Sequence, residues 1–471
     1  MKLKSKLNKN QDITSVIIPR CYDSHIHWKS TGETLCQLNL ANVKSESDLL
    51  KIKKELDNVD SKNKMYFRGD WLIGFGWDEH KFESQLRLHK NTLDQIFGAI
   101  PVVFSRADGH SIWVNSAALE KAKVAKINPE IKIKGGRVEF DENGELSGVF
   151  IDKARDLIES KIPKNTENDI KNFLLKGAEE FSNNGFTHIR DLDGSEEIWN
   201  IAKQLENDEK LKLFIEVNFT FESMLEFKKT LEFAKSINSK SNKKIPFHES
   251  KKKNRYEQIR NMGLKCYFDG ALGSEGALLS VPYPSGKKGL IMYEMAELEE
   301  ILVRTWSNNL PISIHTLGDE AVDKVVNLAI ELKQKGVEGL LNLEHCEVVR
   351  PDTIKKMKAL EIYCHLQPSH FLTDKKWLKE KLTTNYMHAF PWRSLEESGI
   401  KFFFGSDSPI EPPQLQKTIL GIEAAEKNGI LKPSQAIWNY HSHPDGNWGT
   451  DCYTKYYSNN KIEVHFSNSF L

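Results

Sequence analysis

The chain has 471 residues, 39% hydrophobic and 10% aromatic, which excludes a disordered chain and fits a packed globular protein with one large domain carrying insertions. Lys+Arg and Asp+Glu both total 66, so the formal charge is zero and gives no footing for nucleic acid or an anionic membrane surface. The six cysteines (Cys21, Cys36, Cys266, Cys346, Cys364 and Cys452) show no Cys-x-x-Cys spacing, which excludes a zinc ribbon and suits free thiols in a reducing compartment.

The leading MKLKSKLNKNQD is basic but lacks the apolar core of a signal peptide, and no run has the length of a membrane span. The expectation is a soluble, cytoplasmic protein. Val16-Ile17-Ile18-Pro19 reads as a short buried strand leading into Cys21-Tyr22-Asp23-Ser24-His25-Ile26-His27. Residues two apart on a strand point to one side, so His25 and His27 face one way at its C-terminal end. Two such imidazoles are half of a metal site, although a lone His-x-His pair is more often packing or surface.

Residues 46–57 carry apolar positions at helical spacing. Two strand-like runs follow, 71–78 and 101–105, and residues 131–150 contain hairpin signals at 134–137 and 141–144. Residues 61–160 therefore read as an inserted α+β subdomain after strand 1. From residue 167 helical stretches alternate with strand-like runs, while 235–255, rich in Lys, Ser and Asn, reads as a solvated loop. Setting the insertion aside, strands end near 22, 190, 217, 268, 315, 345, 366 and 406. Eight strands alternating with helices predict an α/β fold, a (β/α)8 TIM-type barrel over 12–60 and 161–431. No Gly-rich phosphate loop follows the first strand, which argues against an open doubly wound sheet. Residues 432–471 form an atypical tail, read as a loop around His441-Ser442-His443-Pro444.

In a parallel barrel the C-terminal strand ends gather at one mouth. His25, His27, Lys265, His315, His345 and Asp407 all end strands there. Burying this polarity without partners would cost several kcal/mol, on the order of 2–7 per group, and a metal centre removes that cost. Lys265 is an ammonium inside an apolar strand, which burial disfavours. Either it pairs with a carboxylate such as Asp269, or its amine has taken up carbon dioxide as a carbamate that bridges two divalent metals. The second reading places His25, His27 and Asp407 on one ion and His315 and His345 on the other. Without the carbamate a single-metal site remains. His and carboxylate donors suit zinc, and also manganese, iron or cobalt.

The chain resembles the amidohydrolase superfamily, in the branch that includes N-substituted formamide deformylase-like enzymes. The resemblance rests on DSHIH (23–27), GFGWDE (74–79), PVVFSRADGHSIWVNSAAL (101–119), NGELSGVF (143–150), GFTHIRDLDG (185–194), GLKCYFDGALGS (263–274), ISIHTLGDEAV (312–322), LNLEHC (341–346), LQPSHF (366–371) and FFGSDSPIEPP (403–413). It implies a metal-dependent hydrolase on a (β/α)8 barrel, with ligand motifs matching at His25, His27, Lys265, His315, His345 and Asp407. Glu275 and Glu320 stand where relatives often carry Arg, and the short ends imply that the family's flanking β-sandwich is reduced or missing.

The function expected is hydrolysis of an amide-like, non-peptide carbon–nitrogen bond of a small molecule, with Asp407 as the acid–base residue. Trp77, Asp108 and His110 in the insertion, which would cover the mouth, and Asp269 and His370 after barrel strands are the substrate-side candidates. Packing is the plain alternative for Trp77, and an Asp-Gly turn for Asp108 and His110. Ester, lactone or phosphotriester hydrolysis would use the same site, and a catalytically silent metal-binding protein is the rival from another class. A missing sandwich would leave a barrel flank for a second copy of the chain, a homo-oligomer.

Overall fold

The computed structural model describes residues 15–58, 66–83, 86–107, 109–133, 136–241, 257–432, 441–445, 447–449 and 451–466. Asp108 lies outside the described residues, as does most of the Lys/Ser/Asn-rich segment; its first part, through Ser241, ends the helix Met224–Ser241. No helix among the described residues is long and apolar enough to cross a membrane.

The chain divides into two compact units. One includes the described N-terminal residues through Lys29 and resumes at Gly177; the other is Ser30–Lys176. In the first, eight parallel strands lie side by side: β1 (Tyr22–Ile26), β2 (His188–Gly194), β3 (Phe214–Thr220), β4 (Ile259–Tyr267), β5 (Ile312–Thr316), β6 (Leu341–His345), β7 (Ile362–Leu366) and β8 (Lys401–Phe404). Each pairs in parallel with its sequence neighbour. Helices such as Glu196–Asn207, Met295–Trp306 and Asp319–Gln334 connect them and bury one apolar stripe each, as a (β/α)8 barrel requires. Every residue of β1 and β6 is buried, so these strands read as continuous runs rather than alternating ones.

The barrel closes at a seam between β1 and the residues just past β8. Asp407 N donates to His25 O at 2.8 Å, His27 N donates to Ser408 O at 2.8 Å, and Ile26 bridges Ser408 in parallel. Asp23 tightens the same seam by accepting from Ser406 N at 2.8 Å. Gly405 is required there, since a Cβ would lie 2.6 Å from His25 N.

Two expectations are corrected. Val16–Pro19 does not feed the first barrel strand. Ser15–Pro19 pairs antiparallel with Tyr453–Tyr457, which pairs with Ile462–His465, giving a separate three-stranded sheet. The chain turns at Arg20 (φ 48) before β1 begins. The tail is therefore not a loop throughout: two of its described segments are strands of this sheet. His441 and His443 of the tail serve the barrel floor. His443 Nε2 lies 2.8 Å from Glu216 Oε1, Arg260 Nη2 donates to the same oxygen at 2.9 Å, and Tyr22 Oη donates to Oε2 at 2.7 Å. Burial would raise the Glu216 carboxyl, but His443 and Arg260 hold it well below the usual range.

In the second unit, Leu38–Asn39, Trp71–Trp77, Val102–Arg106, Ser111–Val114, Leu146–Asp152 and Gly136–Phe140 form a mixed sheet in that order. The unit is wider than 61–160 because Leu38–Asn39 pairs in parallel with Trp71–Trp77. Separate apolar clusters pack within it, one around Trp71, Phe150 and Ile158 and one around Trp77, Phe104 and Trp113.

Candidate metal centre

The seam that closes the barrel also assembles half of the centre. His25 lies near the end of β1, Asp407 lies past β8, and the backbone hydrogen bond between them, with that from His27 to Ser408, brings their side chains together. His27 Nε2 lies 3.1 Å from Asp407 Oδ1, and His25 Nε2 lies 3.2 Å from the same oxygen without forming a hydrogen bond. Donor atoms of His25, His27 and Asp407 all fall within 4.8 Å of one another. Asp407 holds φ 60, a conformation costly for a non-glycine residue and typical of functional positions.

The other half comes from β5 and β6. The rings of His315 and His345 are 4.5 Å apart, and His345 is 4.7 Å from His25. His345 also has positive φ, 73, and Gln367 Oε1 fixes its Nδ1 at 3.0 Å. Lys265, on β4, is fully buried and its Nζ has no hydrogen-bond partner. It lies 4.8 Å from the Tyr267 ring centre. Asp269 does not pair with it. The Asp269 carboxylate instead accepts the backbone amides of Leu278, Leu317 and Gly318 at 2.9–3.0 Å, pinning the loops after β4 and β5. That removes Asp269 as the carboxylate partner of Lys265.

Behind the imidazoles stands a layer that sequence reasoning missed. His25 Nδ1 meets Glu344 Oε2 at 2.7 Å, and Arg190 Nη2 donates to Glu344 Oε1 at 2.8 Å. Arg190 also donates to Ser24 O at 3.0 Å. His27 Nδ1 pairs with Asp193 Oδ1 at 3.1 Å. Partners of this kind set the tautomer and aim the second ring nitrogen. Glu344, Asp193, Arg190 and Gln367 all lie in or beside the stretches LNLEHC, GFTHIRDLDG and LQPSHF, which was the available signal.

The electrostatics follow. Burial would raise Asp407, but His25 and His27 hold its carboxyl well below the usual range. Burial would lower His27, but Asp193 and Asp407 push it up to about 10. Burial, with neighbouring cations, holds His315 and His345 far below the usual imidazole range, hence neutral as ligands must be. Burial lowers Lys265. Four buried nitrogens in this cluster (His25 Nε2, Lys265 Nζ, His315 Nε2 and His370 Nε2) lack hydrogen-bond partners. Orphaned donors beside an ionised carboxylate fit divalent metal: the ion satisfies atoms that the protein leaves unpaired.

The substrate-side candidates separate. His370 joins the cluster, its Nε2 3.7 Å from Asp407 Oδ2. Trp77 is 1% exposed inside the core of the second unit and donates Nε1 to Phe104 O at 2.7 Å, so its surroundings are those of a packing residue. His110 Nδ1 lies 2.9 Å from Asp152 Oδ1 in the same unit. Glu275 pairs with Lys287 and Ser285, and Glu320 with Lys324 and Arg350.

A buried centre of histidines and an aspartate at the mouth of a (β/α)8 barrel defines a class, the metal-dependent hydrolases. The sequence pattern of the amidohydrolase family matches residues 16–421, and the chain belongs to that family. YtcJ of Bacillus subtilis (strain 168), named as an amidohydrolase, is 30% identical over 432 residues, covering 88% of this chain and 75% of the relative. The N-substituted formamide deformylase of Arthrobacter pascens is 21% identical over 432 residues, covering 89% and 76%. A crystal structure of an uncharacterized metal-dependent hydrolase from Pyrococcus horikoshii OT3 shares the fold with a TM-score of 0.65 and 23% identity, covering 89% of this chain and 76% of that one.

Proposed function

We propose that this hydrolase cleaves an amide-like, non-peptide carbon–nitrogen bond of a small molecule at the His25/His27/Lys265/His315/His345/Asp407 cluster. The observation that carries the reading is the set of orphaned buried nitrogens grouped around one ionised aspartate. His25, His27 and Asp407 would hold one divalent ion and His315 and His345 a second, with Lys265 as a carbamate between them; zinc suits these donors. When bound, such ions supply Lewis-acid polarisation of a carbonyl and lower the pKa of water.

The chain's own residues do the rest. Asp407 Oδ1 faces His25 and His27, which leaves Oδ2 to take the proton of the attacking water and return it to the leaving nitrogen. Glu344 holds His25 in the tautomer whose Nε2 faces the cluster. His370, beside Oδ2, is placed to orient the substrate. Six buried cysteines, none in a disulfide, support a reducing, cytoplasmic setting.

The deformylase named among the relatives favours amides over the ester, lactone and phosphotriester alternatives. A panel of N-substituted formamides, other N-acyl amines, esters, lactones and phosphotriesters tests the reading. The parent should turn over amides, and Asp407→Asn should lose at least about 100-fold in kcat while retaining metal. Turnover confined to the oxygen esters would replace the amide reading.

A further inference from the structure

Next to the proposed centre the described residues hold another group of donors. His370 and Asp374 lie four residues apart in the helix Pro368–Asp374, a spacing that puts both on one face. Glu347 comes from the turn two residues past the end of β6, where its backbone carbonyl accepts from Phe390 N at 2.7 Å. Donor atoms of Glu347, His370 and Asp374 lie within 4.8 Å of one another.

One observation points to a ligand there: Glu347 is 4% exposed and its Oε1 has no hydrogen-bond partner. His370 stands between this group and the main centre and belongs to both sets of donors. Asp374 accepts from Thr373 Oγ1 at 3.1 Å. Among the described residues no lysine or arginine forms an ion pair with Glu347 or Asp374, whereas the neighbouring acidic group at Asp319, Glu320 and Asp323 is met by Arg350. A buried carboxylate without a counter-charge is strongly unfavourable.

The donor set selects the occupant. Two carboxyl groups and one imidazole converge there. One nitrogen with two oxygens is a familiar donor set for manganese, iron or zinc.

We propose that Glu347, His370 and Asp374 form an additional divalent-cation site, with carboxylates of its own and joined to the main centre through the His370 imidazole. A cation there would fix the ring that stands 3.7 Å from Asp407 Oδ2. The site does not depend on which bond the main centre cleaves.

Mn2+ bound per full-length chain, counted by electron paramagnetic resonance after equilibrium dialysis, tests it. Three proteins are compared: the parent, E347Q/D374N, and H25A/H315A. The expected result is one Mn2+ fewer in E347Q/D374N than in the parent, with H25A/H315A retaining one ion. Equal Mn2+ in the parent and a folded E347Q/D374N would overturn the proposal and leave the main centre standing. Loss of all Mn2+ from H25A/H315A would overturn it as an independent site. If E347Q/D374N does not fold, D374N alone should weaken one Mn2+ by at least about tenfold; unchanged affinity would overturn the proposal.

Discussion

Glu344 Oε2 lies 2.7 Å from His25 Nδ1 while its other oxygen accepts from Arg190 at 2.8 Å, and all three side chains are at most 2% exposed. One carboxylate thus links the barrel interior to the centre at its mouth. Arg190 and His25 hold it far below the usual carboxylate range against the burial that would raise it. It is therefore ionised, and it favours the His25 tautomer with the proton on Nδ1. Glu344→Gln should weaken metal binding by about 10–100-fold. Glu344→Ala, which strands a buried guanidinium, should cost about 3–5 kcal/mol of stability. Metal titration and denaturant unfolding of the ion-free proteins measure the two effects separately.

Lys265 behaves in the opposite sense. Its amine is buried without a partner, so the ion-free chain carries an uncompensated polar group. Lys265→Met keeps most of the side-chain volume and removes that group. The ion-free variant should be more stable than the ion-free parent by about 1–3 kcal/mol. The same variant should show no bicarbonate-dependent rise in metal content, where the parent should show one.

Gly405→Ala tests the seam. The new Cβ would fall 2.6 Å from His25 N and 2.7 Å from His25 Cβ, and the first neighbour is backbone. His25 and Asp407 would have to part. The substitution should cost about 1–3 kcal/mol and reduce metal content, although residue 405 carries no donor. Melting temperature and metal per chain provide the readouts.

Acid should loosen the barrel floor through His441. Burial lowers this imidazole to about 4, and its Nδ1 lies 3.2 Å from Tyr22 O. The folded value is below the unfolded one of 6.5. The unfolded chain therefore takes up the proton first, and stability present above pH ~6.5 is lost as the pH falls toward ~4. The loss from this group is on the order of 3 kcal/mol. His441→Gln should flatten the stability profile across that window, as read from urea unfolding at successive pH values.

The barrel was legible because strand-like runs alternate with helical stretches from residue 167 on, and because donors at strand ends recur at β1, β4, β5, β6 and past β8. What was not legible is non-local. Ser15–Pro19 looks like the start of the barrel until Tyr453–Tyr457, more than four hundred residues away, is seen to pair with it. His441 and His443 resemble a loop motif because their partners, the Tyr22 carbonyl and Glu216, lie on distant strands. Trp77 sits in a motif that invites a pocket role, yet its indole is spent on Phe104 O. Glu344 was hidden beside His345, since nothing local shows that its side chain reaches β1.

Turnover of an N-substituted formamide before and after metal removal tests the central claim most directly. Protein stripped by chelator should lose activity and recover it with zinc and bicarbonate, and Asp407→Asn should not recover under the same conditions. Undiminished turnover by a chain shown to hold no metal would contradict the account.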